Sequence, residues 1–496
     1  MKNIFSERAA GVLLHPTSLP DPYGIGTFGE RACRFVDRLA DAGIRRWQLL
    51  PLGPVGWGDS PYQSYSAFAG EPLMIDLFDL VEKGLLQEHL VLHEDFDPLA
   101  VEYDKVRAYK LPLLKEAYAR FVSRKPFGDA FDRFCEEQKG WLEDYALFMA
   151  IKESTGGKPW QAWERGLRRR EPDALDDAKK RLAERIDWHR FLQYLFFEQW
   201  RRLKRYAHTK GVAIVGDMPI YVSGDSADVW AHREYFELDE AGHPLRVAGV
   251  PPDYFSPTGQ RWGNPLYDWG RLKARGYDWW MDRMAMALEM FDGIRIDHFR
   301  GFQAYWAIPA KEETAIDGEW VEGPGHHFFA ALETRFGDLP IIAEDLGLIT
   351  PEVEKLRDDF GFAGMKILQF AFGGGSDNPY LPHNYIHPHC VVYTGTHDND
   401  TTLGWFETFD AKSRVLSYLS RSDDSIVWQM MREAMASTAD TAIVPMQDIL
   451  ELGSDARMNT PGRAEGNWRW RMSEAQLDGA PWERLADLVR LYGRDR

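Results

Sequence analysis

Eight short runs of apolar, often β-branched residues recur along this chain, each closed by polar side chains, and their number and order constrain the fold more than any other feature. They are GVLLHPTS from Gly11, RWQLLPL from Arg46, VAIVGDMP from Val212, DGIRIDH from Asp292, PIIAEDLG from Pro340, MKILQF from Met365, VVYTGTHD from Val391 and TAIVPMQD from Thr441. A strand in a parallel sheet is covered on both faces, so it reads as a continuous apolar run rather than an alternating one. In a closed parallel barrel, polar residues at the C-terminal ends of the strands carry function. Helical signals lie between the runs. Ahead of the third, Leu192, Phe196, Trp200, Leu203 and Ala207 form an apolar stripe, with Gly211 where a helix C-terminus takes a left-handed residue. Phe35, Val36 and Leu39 followed by Gly43 repeat the pattern. Alternating helix and strand signals specify an α/β fold with a parallel sheet.

At 496 residues the chain exceeds an average domain, yet a barrel with insertions runs past about 400 residues as one catalytic unit. A single unit over 1–496 is therefore expected. The stretch 78–190 is too long for a loop, and segments such as KVRAYKLPLLKEAYARF predict a helical insertion subdomain between the second and third strands. The stretch 221–270 is rich in Gly, Pro and aromatics (VAGVPPDYFSPTGQRWGNP) and reads as an irregular insertion lying over a site. No repeat or low-complexity tract occurs, and no C-terminal all-β domain is expected.

A formal charge of -18 repels nucleic-acid backbones and anionic lipid, so neither is an expected partner. Cys33, Cys135 and Cys390 lie far apart without CxxC spacing and read as reduced thiols. The opening MKNIFSERAAG has no apolar targeting core, and no run reaches the roughly 18 to 20 apolar residues of a membrane span, which predicts a cytoplasmic protein. Aromatic residues make up 14%; a large core can absorb most of them, and a sugar cleft offers a second use, because pyranose C–H faces stack on flat rings.

Three strand ends carry carboxylates. In DGIRIDHFRG, Arg295 and Asp297 share one face of a strand, and the cation favours an ionised Asp297, either as a plain ion pair or as a nucleophile. In IIAEDLG, Glu344 and Asp345 face opposite ways, so one of them points into the barrel mouth. Glu344 is the choice for a proton donor, with Asp345 read as a helix cap. YTGTHDND places His397 and Asp398 at a third strand end. Asp217 closes the third run, and GWGDSPYQSYSAFAG, with Trp57, Ser60 and Tyr62, forms a small-residue loop rich in hydroxyls and rings. His15, His298, His383, His387 and His389 show no HExxH or comparable spacing, so no metal is expected. Nor does a GxGxxG loop, a P-loop or a serine nucleophile elbow occur, which leaves phosphate cofactors without a home.

With these motifs in order, the chain resembles the amylomaltase (4-α-glucanotransferase, disproportionating enzyme) family of the α-amylase clan, glycoside hydrolase family 77. The likeness runs from HPTSLPDPYGIGTFG through GDSPYQSYSAFAG, GDMPIYV, FDGIRIDHFRG, IIAEDLG, LPHNY and THDNDTTLGW to ARMNTPG and GNWRW. It implies a (β/α)8 TIM barrel with large helical and loop insertions. It further implies that Asp297 is the nucleophile, Glu344 the acid/base and Asp398 the carboxylate that grips sugar hydroxyls. Arg295, His298, His397, Asp217, Tyr62 and Ser60 would line that subsite, Trp262 and Asp253 would sit on a lid-like loop, Asn467 of GNWRW would bind substrate, and Trp57 would lie near a secondary glucan site. The implied reaction is retaining transfer of α-1,4-glucan segments without a cofactor, between maltooligosaccharides or glucans derived from starch or glycogen. GGGSDNP from Gly373 departs from the acidic residue relatives often show there. A hydrolase using the same residues and an inactive glucan-binding barrel are the alternative readings, and oligomeric state stays open.

Overall fold

The computed structural model describes residues 3–91, 95–124, 127–252, 256–419 and 423–495. Among the described residues twelve strands occur in chain order: β1 (Ala9–Leu13), β2 (Arg46–Gln48), β3 (Ala213–Pro219), β4 (Arg246–Val250), β5 (Gln260–Pro265), β6 (Gly293–Asp297), β7 (Ala304–Pro309), β8 (Glu319–Glu322), β9 (Ile341–Ala343), β10 (Gly364–Ile367), β11 (Cys390–Tyr393) and β12 (Thr441–Pro445). Eight of them form an all-parallel sheet in the order β10-β11-β12-β1-β2-β3-β6-β9. The ends of that sheet meet: Ala343 N–H donates to the Ala363 carbonyl at 2.8 Å and Ala363 N–H to the Ile341 carbonyl at 3.1 Å, just ahead of β10. The sheet is thus a closed (β/α)8 barrel, and each of the eight apolar runs falls on one of its strands. β1 and β12 are buried at every position, as expected of strands packed on both faces.

The helices follow the same logic. Helix Ala183–Thr209 buries Leu192, Phe196, Trp200, Leu203 and Ala207 and ends at Gly211, whose φ of +72° is the left-handed conformation that glycine adopts without penalty. Within β3, Gly216 lets the barrel close on helix Asp278–Met290, since a Cβ there would stand 2.3 Å from the Phe291 ring.

Between β2 and β3 the chain forms helices Tyr103–Arg124, Ala130–Glu137, Lys139–Ser154 and Pro172–Arg181. Two buried glutamines of helix Ala183–Thr209 fix the segment after β2. Gln193 exchanges two hydrogen bonds with Gly70 at 2.7 and 2.9 Å, and Gln199 bonds the Asp76 N–H and carbonyl at 2.7 and 3.1 Å. The stretch read as irregular, 221–270, differs from expectation: it holds β4 and β5, which join β7 and β8 in an antiparallel sheet of order β5-β4-β7-β8. β4 pairs with β7 about sixty residues onward, and neither β4 nor β5 alternates cleanly in burial. Among the described residues no helix is long and apolar enough to cross a membrane. The described chain ends in helix Trp482–Leu491 and not in an all-β domain.

Candidate active site

The C-terminal ends of β3 and β6 lie side by side, with Asp217 paired in register to Arg295. Side chains two apart on a strand share a face, so Arg295 reaches both Asp217 across the sheet and Asp297 along its own strand. Its Nη1 donates to Asp217 Oδ1 and Oδ2 at 2.9 and 2.7 Å, and its Nη2 lies 3.0 Å from Asp297 Oδ1. The Tyr62 hydroxyl donates to Asp217 Oδ2 at 2.8 Å and lies 2.8 Å from His397 Nε2. A hydroxyl has one proton, so with that proton on Asp217 the His397 ring must donate from Nε2. The Tyr62 and His397 rings also stack, with centroids 5.3 Å apart. His397 Nε2 stands 3.4 Å from Asp398 Oδ2, which places the third carboxylate beside the same array.

Glu344 follows β9, and its Oε2 accepts the His298 N–H at 2.8 Å. His298 takes a left-handed φ of +52°, strained for a non-glycine residue, directly after Asp297. Its ring meets Trp262 edge to face at 4.8 Å, which brings the antiparallel sheet to the barrel mouth. Asp345 turns away: it is buried, accepts the Met365 N–H at 2.7 Å and pairs with Arg357, a structural role that binds β9 to β10 rather than capping a helix.

Burial raises both candidate catalytic carboxyls. The Asp297 carboxyl is pushed up to about 7 by burial, opposed by the Arg295 guanidinium and assisted by Asp217 and Asp398. Glu344 is driven well above the usual carboxylate range by burial, against Arg295, with Asp297 and Asp345 adding to the rise. The RxD pairing alone predicts that Arg295 holds Asp297 ionised at low pH. The guanidinium is shared, however, and gives Asp217 two bonds for its one contact to Asp297. Burial lowers His15 to about 3 and His298 to about 4, so both imidazoles are neutral near pH 7.

The Ser60 hydroxyl accepts the Tyr62 N–H at 3.3 Å and so shapes the turn that presents the tyrosine. Asn467 fixes its own loop, accepting the Thr460 N–H at 2.9 Å and donating to the Arg463 carbonyl at 2.9 Å. Asp253 lies outside the described residues, as does the side chain of Trp57, whose backbone enters the short turn Trp57–Asp59. Four residues at the site carried no sequence assignment. Asn459 and Arg457 hold Asp398, Trp468 lies 5.6 Å from Tyr62 and 6.0 Å from His397, and Tyr221 lies 6.4 Å from Trp262. All four fall inside motifs, Arg457 and Asn459 in ARMNTPG, Trp468 in GNWRW and Tyr221 in GDMPIYV, so the motifs signalled them without giving a role. Among the described residues no group of three or more His, Cys, Asp or Glu is arranged to hold a metal. His383 contacts Tyr418 and Ser376, and His389 contacts Gly361.

Known proteins share this architecture. A 4-alpha-glucanotransferase of Thermus thermophilus is 53% identical, covering 98% of this chain and 99% of its own, and one of Synechocystis is 51% identical, covering 99% of each. The solved structure of amylomaltase from Streptococcus agalactiae in complex with acarbose superposes with a TM-score of 0.95 at 42% identity, covering 98% of this chain and 100% of that one. Since the family model described as 4-alpha-glucanotransferase also matches residues 14–477, nearly the whole barrel, the chain belongs to the 4-alpha-glucanotransferase family.

Proposed function

We propose that this protein moves α-1,4-glucan segments between chains, with Asp297 as nucleophile, Glu344 as acid/base and Asp398 as the carboxylate that grips the sugar being transferred. Asp297 attacks the anomeric carbon as the glycosidic C–O bond breaks, and Glu344 gives its proton to the departing 4-oxygen. The 4-hydroxyl of an acceptor glucan then attacks the same carbon, Glu344 takes its proton, and Asp297 leaves. Configuration is retained, the proton count closes over the cycle, and no cofactor enters.

The observation that carries this reading is the different surroundings of two carboxyls at the ends of neighbouring strands, β6 and β9. Asp297 keeps an ion pair with Arg295 at 3.0 Å, whereas Glu344 accepts the His298 N–H at 2.8 Å and is driven above the usual carboxylate range by burial. A carboxylate paired with a guanidinium suits the attacking role, and a carboxyl that burial favours in its protonated form suits the donor. Arg295, Asp217, Tyr62 and His397 form the floor on which the reacting sugar would lie, with Ser60 shaping its edge. His298, Trp262, Asp253 and Asn467 are assigned to the rim, and Trp57 to a neighbouring glucan contact. The segment 221–270 acts as a cover that excludes water, 78–190 as a helical buttress, and 1–496 as one catalytic unit. Maltooligosaccharides and glucans derived from starch or glycogen are the substrates assigned, and the cytoplasm the compartment. Incubation with maltotriose tests the function: a ladder of longer and shorter α-1,4-glucans is expected, and glucose plus maltose alone would indicate a hydrolase.

A further inference from the structure

We infer that Asn459 is a positioning residue for the third carboxylate, fixing the orientation in which Asp398 meets the sugar. The inference rests on the role given to Asp398 above. Asp398 lies in a turn after β11, and its side chain is 42% exposed, so packing alone does not choose among its rotamers. Hydrogen bonds do. Asn459 Nδ2 donates to Asp398 Oδ1 at 2.6 Å, and the Asn459 N–H donates to the His397 carbonyl at 3.1 Å. Arg457 Nη2 donates to the Asp398 backbone carbonyl at 2.7 Å, while its Nε donates to the Asn459 carbonyl at 2.7 Å. One three-residue stretch therefore holds backbone and side chain of the consecutive residues His397 and Asp398.

The stretch is itself anchored. Met458, between the two donors, is 5% exposed and packs in a cluster with Leu13, Leu50, Tyr393 and Trp468. Its carbonyl accepts the Trp468 N–H at 2.7 Å, and the Trp468 ring lies against Tyr62 and His397. The bracket thus rests on the barrel end and on the same aromatic array that flanks the site. With Oδ1 held by Asn459, Oδ2 stays beside His397 Nε2 at 3.4 Å, and the exposed part of the carboxylate is left for adjacent sugar hydroxyls to donate to. An amide is suited to this task because it donates to an ionised carboxylate without adding charge, whereas a carboxylate at the same place would repel it.

The test compares Asn459→Ala, Asn459→Asp and Asp398→Asn in the full chain, with kcat and KM for maltotriose transfer measured from pH 5 to 9 and melting temperatures recorded. For Asn459→Ala we expect kcat to fall on the order of 10- to 100-fold, the loss that a misplaced group of about 1 Å produces, with KM little changed. The isosteric Asn459→Asp supplies a readout that a structural role would not move. At low pH its new carboxyl shares a proton with Asp398 and keeps the bond. As pH rises the proton leaves, the two charges repel, and activity relative to the parent declines. The other titratable and charged groups around Asp398 are Arg457, His397, Tyr62 and, across the mouth, Asp297 with Arg295, all unchanged in this variant. Asn459 variants within about twofold of the parent, or Asn459→Asp following the parental pH profile, would overturn the inference while an inactive Asp398→Asn upheld the site. Parental turnover in Asp398→Asn would instead remove the role of Asp398, and the inference with it.

Discussion

Replacing Arg295 with methionine isolates what the shared guanidinium does for the nucleophile. Opposite charges 3.0 Å apart attract by about 5 kcal/mol at an effective dielectric near 20, equivalent to about 4 pKa units. Asp297 is 29% exposed and shares Arg295 with Asp217, so solvent and the second carboxylate reduce this to about half, roughly two units. The Asp297 carboxyl, held near 7 in the parent, would then titrate near 9. At pH 7 the ionised fraction falls from about half to about one in a hundred, a loss of roughly 50-fold in kcat/KM from ionisation alone. Maltotriose transfer should be followed from pH 5 to 10 with substrate below KM, so that the acid limb reports the free enzyme. The limb should move up by about two units in Arg295→Met, with activity partly restored at alkaline pH. Because Asp217 is left fully buried beside a vacated cation, a melting curve must accompany the profile. A folded Arg295→Met variant whose acid limb coincides with the parent's would refute the reasoning.

Three further predictions follow from the same geometry. Asp297→Asn should lower turnover by several orders of magnitude yet stabilise the fold above neutrality. The folded carboxyl titrates near 7 against 3.8 unperturbed, so it contributes stability at low pH that is lost as pH rises through that window. With Arg295 losing one partner, the net gain at pH 8 should be about 2 kcal/mol and absent at pH 4, checked by melting temperature at the two pH values. Trp262→Ala, which removes the ring against His298, should raise the ratio of hydrolysis to transfer or sharply reduce transfer, read from free glucose and longer glucans formed from maltotriose. An unchanged ratio and rate would leave β5 as scaffold. Arg494, fully buried, donates to the carbonyls of Ala9, Met435, Ser437, Ala439 and Asp440, so Arg494→Ala should cost about 2 to 4 kcal/mol through the lost charged hydrogen bonds, with Arg8 still donating to Met435, Ser437 and Ala439 and the Ala9 N–H to Asp440, while leaving kcat of the folded fraction unchanged. Denaturant unfolding measures it, and a loss below about 1 kcal/mol would show that the acceptors find other partners.

The barrel was legible because its strands are buried on both faces. Val391, Val392 and Tyr393 in β11, or Ala442, Ile443 and Val444 in β12, leave no polar alternation to confuse with a surface strand. The antiparallel sheet was not, since β5 carries Gly263 and Pro265 and pairs with β4 across a register shift, while β4 depends on β7 beyond the next barrel strand. At the site, Asp297, Glu344 and Asp398 stood out as carboxylates ending apolar strands. The sharing of Arg295 with Asp217 did not, because cross-strand register is invisible in a linear motif. Asn459 was hidden for a related reason: it acts on a carboxylate sixty-one positions earlier, through a loop that only the folded chain brings back.

The central claim, a covalent glucosyl ester on Asp297, is tested most directly by trapping it. In Glu344→Gln the departure of an activated donor such as an α-maltosyl fluoride needs little acid, whereas release to an acceptor lacks its base, so the intermediate should accumulate. Proteolysis and mass spectrometry should then find the maltosyl mass on the peptide carrying Asp297. A maltosyl group on the peptide of Asp398, or turnover to an inverted product with no adduct on the protein, would contradict the account.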